Sequence, residues 1–422
     1  MSSSDRYAIA VDLGTTTIAA SLVDLQGGGR LAVCGSLNPQ REFGADVVSR
    51  LEAALSSPKN LRRQSLLASR ELERLFYELA GRAGISVGAV EKIAIAGNPA
   101  MTHLLLGLDV RTLAFPPYRP PVTSGRTLRT GELGWETDVE AFLFPLPGGF
   151  VGGDTVAFLF GVDDAGRTLP KEGPRLLLDL GTNGELALAA GEAVYATSAA
   201  AGPAFEGGNL ACGMAALPGA IAGVKMTDDR LLLTTVGGGT PTGVCGSGVL
   251  ETVALLLEAG VLDHTGRLRD PGEIPSNLAN RLQQVGGEAV FVLYHDAQRL
   301  VYLGQNDIRQ VQLAKGAVRA GVEVLCQRSG VHLDAVREVI LTGSFGAELR
   351  AETLKNVGIF TEKMVDIARF VRDGALAGVE KSLCVPGGFA AVERLAGAMR
   401  VIPLSGTPAF EHHFLAQMNF PK

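Results

Sequence analysis

Twice in this chain an apolar strand runs into Asp-Leu-Gly-Thr and turns back into a second apolar strand. The first copy is Tyr7-Ala-Ile-Ala-Val-Asp-Leu-Gly-Thr-Thr-Thr-Ile-Ala-Ala-Ser-Leu-Val-Asp, and the second is Arg175-Leu-Leu-Leu-Asp-Leu-Gly-Thr-Asn-Gly-Glu-Leu-Ala-Leu. Each copy predicts a β-hairpin that opens its own lobe, so the chain reads as a duplication. At 422 residues it is too long for one compact core and suits two domains. The expected division is 1–170, a first lobe with an inserted subdomain, and 171–422, a second lobe with further insertions and C-terminal helices.

Around the first hairpin, Leu31 to Leu37 supplies a third strand, Ala45 to Ala80 reads as helical, and Lys92 to Ala96 is a short buried strand. Pro99 to Leu106 suits a helix with proline in its first turn, whereas Phe115-Pro-Pro-Tyr-Arg-Pro-Pro predicts extended chain at a loop or subdomain edge. In the second half, Gly246 to Gly260 and Asp307 to Arg328 are helical. Val290 to Tyr294, Leu300 to Leu303 and Val336 to Leu341 are strands, and the tail is mostly helical to about Ala398. Strands alternating with helices predict mixed α/β lobes.

Composition removes several classes of function. A net charge of −6 with 6% aromatic residues supplies neither a basic phosphate-tracking face nor stacking platforms, so nucleic acid is not an expected partner. The longest apolar runs fall short of the roughly 18–20 residues a bilayer requires, and Met1 to Arg6 leads straight into a strand without a signal-peptide core. The expectation is a cytoplasmic protein without a membrane span. Cys34, Cys212, Cys245, Cys326 and Cys384 lie far apart, with neither disulfide nor iron–sulfur spacing.

The hairpin turns carry the chemistry. Gly14 permits a turn whose successive N–H groups face one concavity, and Thr15, Thr16 and Thr17 add hydroxyl donors, which together make a phosphate cradle. Asp12, at the end of a buried strand, suits a hydrated Mg²⁺ held through water. Taken alone, the turn reads equally as a threonine-rich hairpin with a capping aspartate. The second copy favours nucleotide binding, since Gly181, Thr182 and Asn183 repeat the turn and Asp179 repeats the carboxylate. Glu185 then either orients water or is a solvated strand residue.

Further candidates lie outside the turns. Asp154, in Gly152-Gly-Asp-Thr, opens a helix and is either the general base that positions an attacking water or a helix N-cap. Gly343, Ser344 and Gly346 end an apolar strand and allow an adenine or ribose to approach bare backbone. Lys315, with Gln312 and Arg319 at helical spacing, clamps the nucleotide's sugar side or forms a solvated helix face. Gly246 and Ser247, and the small-residue run from Thr197 through Ser198 to Glu206, admit a bulky group or pack tightly. His103 is expected to be a helix-core or capping histidine.

These motifs, together with Leu37-Asn-Pro-Gln-Arg-Glu-Phe-Gly-Ala-Asp-Val, Gly97-Asn-Pro-Ala-Met-Thr-His-Leu-Leu-Leu-Gly, Gly149-Phe-Val-Gly-Gly-Asp, Gly202-Pro-Ala-Phe-Glu-Gly and Asp307-Ile-Arg-Gln-Val-Gln-Leu-Ala-Lys-Gly-Ala, resemble the nucleotide-binding part of the ATP-dependent reductive activators of corrinoid proteins, from about Tyr7 to Pro421. The resemblance implies duplicated ribonuclease-H-like lobes of the actin, sugar-kinase and heat-shock-chaperone (ASKHA) architecture around an ATP cleft. It implies ATP with Mg²⁺ at Asp12 and Asp179, and a corrinoid protein as partner whose cobalt is driven from Co(II) to Co(I) for methyl transfer. Ser198 and Glu206 are then expected to face the corrinoid partner.

Members of that family usually carry an iron–sulfur domain, for which this chain has no cysteine pattern. Electrons are accordingly expected from a separate ferredoxin-like donor or from a domain absent from this chain, or else the chain only loads or releases its corrinoid partner, with no iron–sulfur cluster here and a homodimer left open. Ser344 stands where the family more often has glycine. Two other readings share the fold: a small-molecule kinase, in which Asp154 deprotonates an acceptor hydroxyl, and an ATP-gated binding or chaperone module.

Overall fold

The computed structural model describes residues 6–162, 173–227, 230–343 and 349–422. A six-stranded sheet runs in the order Arg30–Leu37, Thr17–Asp24, Tyr7–Leu13, Val90–Gly97, Glu140–Leu143, Arg126–Arg129. The first hairpin is antiparallel with Leu13 opposite Ile18. Leu13 and Ile18 are fully buried, and burial of each side chain contributes about 1.5–3 kcal/mol, which fixes the turn between them. On the other side of Tyr7–Leu13, Val90–Gly97 lies parallel and sets Asp12 beside Ala96 and Leu13 beside Gly97.

A second six-stranded sheet has the order Ala368–Phe370, Glu338–Thr342, Arg175–Leu180, Gly184–Ala190, Ala193–Ala199, Met399–Val401. Here Glu338–Thr342 is the parallel neighbour, and it sets Thr342 beside Asp179. In both sheets the hairpin's first strand has its own return strand on one side and a parallel strand, supplied by a later crossover, on the other. In both, that parallel strand meets glycine, Gly97 or Gly343, one residue past the aspartate's partner. The duplication read from the sequence is thus repeated in strand order and register, in mixed α/β sheets.

Two compact units emerge. One comprises 1–172, 189–196 and 372–401, and the other 173–188, 197–371 and 402–422. In the first, the helical stretch expected over 45–80 divides into Val47–Ser56 and Pro58–Ala83. The Ser57 hydroxyl caps the second helix by accepting from Lys59 N, with Pro58 at its first position, so the break is encoded by a capping pair that periodicity alone does not show. Its inward face, with Leu72, Leu75, Phe76 and Leu79, joins the strand residues Ile9, Val11 and Ile93 in one core. The segment from Phe115 holds neither helix nor strand after the single turn Arg111–Ala114.

The other unit adds the sheet Arg230–Thr235, Ala220–Thr227, Gly243–Val244 and the antiparallel sheet Leu282–Val285, Glu288–His295, Leu300–Gly304. It also holds the long helix Gln305–Ser329, buried through most of its length, against which Pro408–Ala416 packs. Among the described residues no helix is long and apolar enough to cross a membrane.

Candidate functional site

In the first unit, the turn after Asp12 is built for close backbone approach. A Cβ on Gly14 would lie 2.4 Å from the Thr17 carbonyl oxygen, so only glycine fits there. The turn's carbonyls are held from outside: Asn38 donates from Nδ2 to Gly14 O at 2.9 Å and from its backbone N to Thr16 O at 2.9 Å. Asn98 Nδ2 donates to the Thr15 hydroxyl at 2.9 Å. Neither asparagine was assigned a role from sequence. Their signal was the repeated Asn-Pro dipeptide at the start of a helix.

Asp154 belongs to the same end of this sheet. The backbone at Gly152 lies so close to Gly97 that a Cβ there would be 2.6 Å from the Gly97 carbonyl, which ties the start of helix Gly153–Gly161 to the end of Val90–Gly97. Gly97 in turn pairs with Leu13, next to Asp12. Gly152 is the N-cap, and Asp154 sits in the first turn, where its Oδ1 accepts from Thr155 N at 2.7 Å. The N-cap alternative is therefore set aside. Asp154 keeps some exposure, yet enclosure by protein pushes its carboxyl up to about 6, although the Thr155 and Gly152 amides and the Thr155 hydroxyl favour its charged form.

In the second unit, the turn Gly181–Asn183 is closed by Gly181 N donating to Asn183 O at 3.1 Å. The Thr182 hydroxyl donates to a Glu206 carboxylate oxygen. Glu206, on the short helix Pro203–Glu206, is thereby placed at the turn, and burial raises its pKa. Ser198 lies on strand Ala193–Ala199 with its Oγ 3.4 Å from Glu185 Oε1, so these two candidates face each other across neighbouring strands.

The remaining candidates divide. Ser247 is buried and donates to Ala222 O at 2.8 Å, while Gly246 abuts the Phe205 carbonyl. Lys315, Gln312 and Arg319 form no solvated face, since all three are buried. Lys315 Nζ donates to Asn419 O, and Gln312 Nε2 donates to Met418 O at 3.0 Å. The solvated-face reading missed this cover because the covering segment lies about a hundred residues further along the chain. Gly343, with φ 142°, follows Thr342; Ser344 and Gly346 lie outside the described residues. His103 is the buried helix histidine expected, its Nδ1 2.7 Å from Pro99 O.

A cavity of about 710 Å³ in the second unit is lined by Lys225, Glu251, Glu258, Arg350, Glu352 and neighbours. Arg350 Nε donates to Glu251 Oε1 at 3.1 Å, and Glu251 Oε2 accepts from Val224 N at 2.9 Å, so one wall is organised by a carboxylate with both oxygens engaged. None of its lining residues belongs to the Gly181–Asn183 turn. Sequence reasoning missed it, since its polar walls come from a strand, a helix and a segment far apart in the chain.

The family model described as the C-terminal domain of RACo, the ASKHA domain, matches residues 173–422, and that of the RACo middle region matches residues 7–163. The chain belongs to the RACo family. Similar curated proteins include the corrinoid activation enzyme RamQ of Eubacterium limosum, 29% identical over 387 residues covering 89% of this chain and 63% of the relative. The [Co(II) methylated amine-specific corrinoid protein] reductase of Methanosarcina barkeri is 25% identical over 385 residues, covering 83% of this chain and 65% of the relative. This RACo-family chain thus spans less than two thirds of the length of either curated relative. Among solved structures, a reductive activator for corrinoid, iron-sulfur protein matches with a TM-score of 0.89 and 28% identity, over 100% of this chain and 67% of that one.

Proposed function

We propose that this chain binds ATP with Mg²⁺ at its two Asp-Leu-Gly-Thr turns and serves the reductive activation of a corrinoid protein, in which one electron from a separate low-potential donor, or from a domain outside this chain, converts Co(II) to Co(I). The observation that carries the reading is the repeated register, Asp12 beside Ala96-Gly97 and Asp179 beside Thr342-Gly343, in a chain of the RACo family. The names of its relatives supply the substrate class.

The residues fit such a ligand. Gly14 lets the turn close tightly on itself, the Thr15 hydroxyl accepts from Asn98 and keeps its own proton to donate, and Asp12 and Asp179 are hard oxygen ligands suited to hydrated Mg²⁺. When bound, ATP supplies free energy to the reduction, in which about 1.4 kcal/mol offsets 59 mV for one electron. Asp154, once deprotonated, accepts a proton from water at the sheet end that carries Asp12. The carboxylate of Glu206 fixes the rotamer of Thr182, and Lys225, Glu251 and Arg350 offer a polar-walled cavity of a size that holds a nucleobase and ribose.

ATP hydrolysis measured with and without a Co(II) corrinoid protein tests this reading. Stimulation by the corrinoid protein is expected, together with loss of hydrolysis in Asp12→Asn and Asp179→Asn. Transfer of the terminal phosphoryl group to a polyol or acyl acceptor would replace it with the kinase reading, and tight binding without turnover would replace it with a binding module.

A further inference from the structure

Asn38 and Asn98 each precede a proline, and each pair opens a helix, Pro39–Phe43 and Pro99–Leu106. Their side-chain oxygens are both occupied. Asn38 Oδ1 accepts from Gln40 N at 2.9 Å, and Asn98 Oδ1 accepts from Met101 N at 3.0 Å. A backbone N–H only donates, so the atom that receives it is the amide oxygen, and this settles which end of each side chain is NH₂. Asn98 therefore donates to Thr15 Oγ1, and Asn38 donates to Gly14 O.

A hydroxyl has two acceptor lone pairs and a single proton. Because Thr15 Oγ1 is the acceptor toward Asn98, its own proton is left for another partner, and both groups are nearly enclosed, at 9% and 6% exposure. The carbonyls of Gly14 and Thr16 are meanwhile each engaged by a donor from Asn38, which reduces the negative potential they present. The Gly14 and Thr16 carbonyls thus each hold a donor, while the Thr15 hydroxyl keeps its proton.

Resting on the nucleotide-binding reading, we propose that Asn98 is a positioning residue that fixes the Thr15 hydroxyl as a hydrogen-bond donor to an anionic phosphate oxygen. Asn98→Asp separates this role from a structural one. Aspartate caps a helix as well as asparagine does, so the fold is kept. As an acceptor, however, it takes the Thr15 proton and sets a negative charge beside the phosphate.

The test is Mg-ATP binding by titration calorimetry alongside thermal melting of the same proteins. Expected are a melting temperature near that of the parent and binding weakened at least about tenfold in Asn98→Asp, a comparable loss in Thr15→Val, and recovery in Thr15→Ser. Parent-like binding in a folded Asn98→Asp overturns the proposal. If that variant fails to fold, Thr15→Val decides, and parent-like binding there overturns it equally. Failure of the parent chain itself to bind Mg-ATP would sink the nucleotide reading on which this rests, a different outcome.

Discussion

Lys315 Nζ donates to the carbonyl of Asn419, and the Phe420 ring centroid lies 5.4 Å from the same nitrogen. The cation is buried, and its pKa falls to about 8, chiefly through desolvation and further through Arg319 nearby. The unfolded chain then holds a proton on Lys315 that the folded chain releases between pH 8 and 10.5, so this group makes the protein more stable as pH rises through that window. We expect a gain on the order of 2–3 kcal/mol over that range, measured by urea unfolding, which Lys315→Met abolishes. A parent protein that shows no such gain would mean that the C-terminal segment does not seal this helix in solution.

Asp154 is an acid shifted by the same cause, desolvation, and its effect has the opposite sign: stability falls as pH rises. Its carboxyl is raised from 3.8 to about 6, so its contribution to stability is full below about pH 4 and is lost as pH rises to about 6. Asp154→Asn should therefore stabilise the protein at pH 7 by about 1–2 kcal/mol, with the gain vanishing near pH 4, while hydrolysis of ATP falls by about 10²–10³-fold. Chemical denaturation at the two pH values and a phosphate-release assay check both halves. Stabilisation with undiminished hydrolysis would remove Asp154 from the chemistry.

Gly152→Ala tests how Asp154 is placed. The added Cβ would meet Asn98 Cα at 2.5 Å and Gly97 O at 2.6 Å, both backbone atoms that cannot swing aside. A loss of about 1–3 kcal/mol in stability is expected, with nucleotide turnover reduced beyond what the unfolded fraction explains. A neutral substitution would show that the helix start is not seated on the end of Val90–Gly97.

Much of the fold was legible, because hairpins and long helices announce themselves. Helix Pro99–Leu106 has the expected limits, and Gln305–Ser329 exceeds the expected span by two residues at its start and one at its end. Short strands such as Arg126–Arg129, Glu140–Leu143 and Ala368–Phe370 were missed, since three or four residues are too few to display a period of two and their pairing is set by partners elsewhere. The capped break at Ser57-Pro58 lay in plain view but was absorbed into a longer helical pattern. At the site, the two aspartates and their turns were legible as a repeated motif. The supports of the first turn were not, because Asn38 and Asn98 reach it from helix starts that sequence spacing does not relate to Gly14 and Thr15.

Ser198 offers a test of the partner surface. Its hydroxyl faces Glu185 at 3.4 Å, and on the proposed reading this strand pair lies toward the corrinoid protein. Ser198→Ala is expected to slow reactivation by several-fold while leaving Mg-ATP affinity near that of the parent, as measured by stopped-flow reduction and calorimetry. An unchanged reactivation rate would remove Ser198 from that surface.

The most direct measurement is made on an anaerobic mixture of this chain, a Co(II) corrinoid protein and a low-potential iron–sulfur donor, with and without Mg-ATP, followed through the Co(I) absorption band. The predicted result is Co(I) that appears when Mg-ATP is present and is lost in Asp12→Asn and Asp179→Asn. Bound Mg-ATP with no Co(I), across several corrinoid proteins and donors, would contradict it.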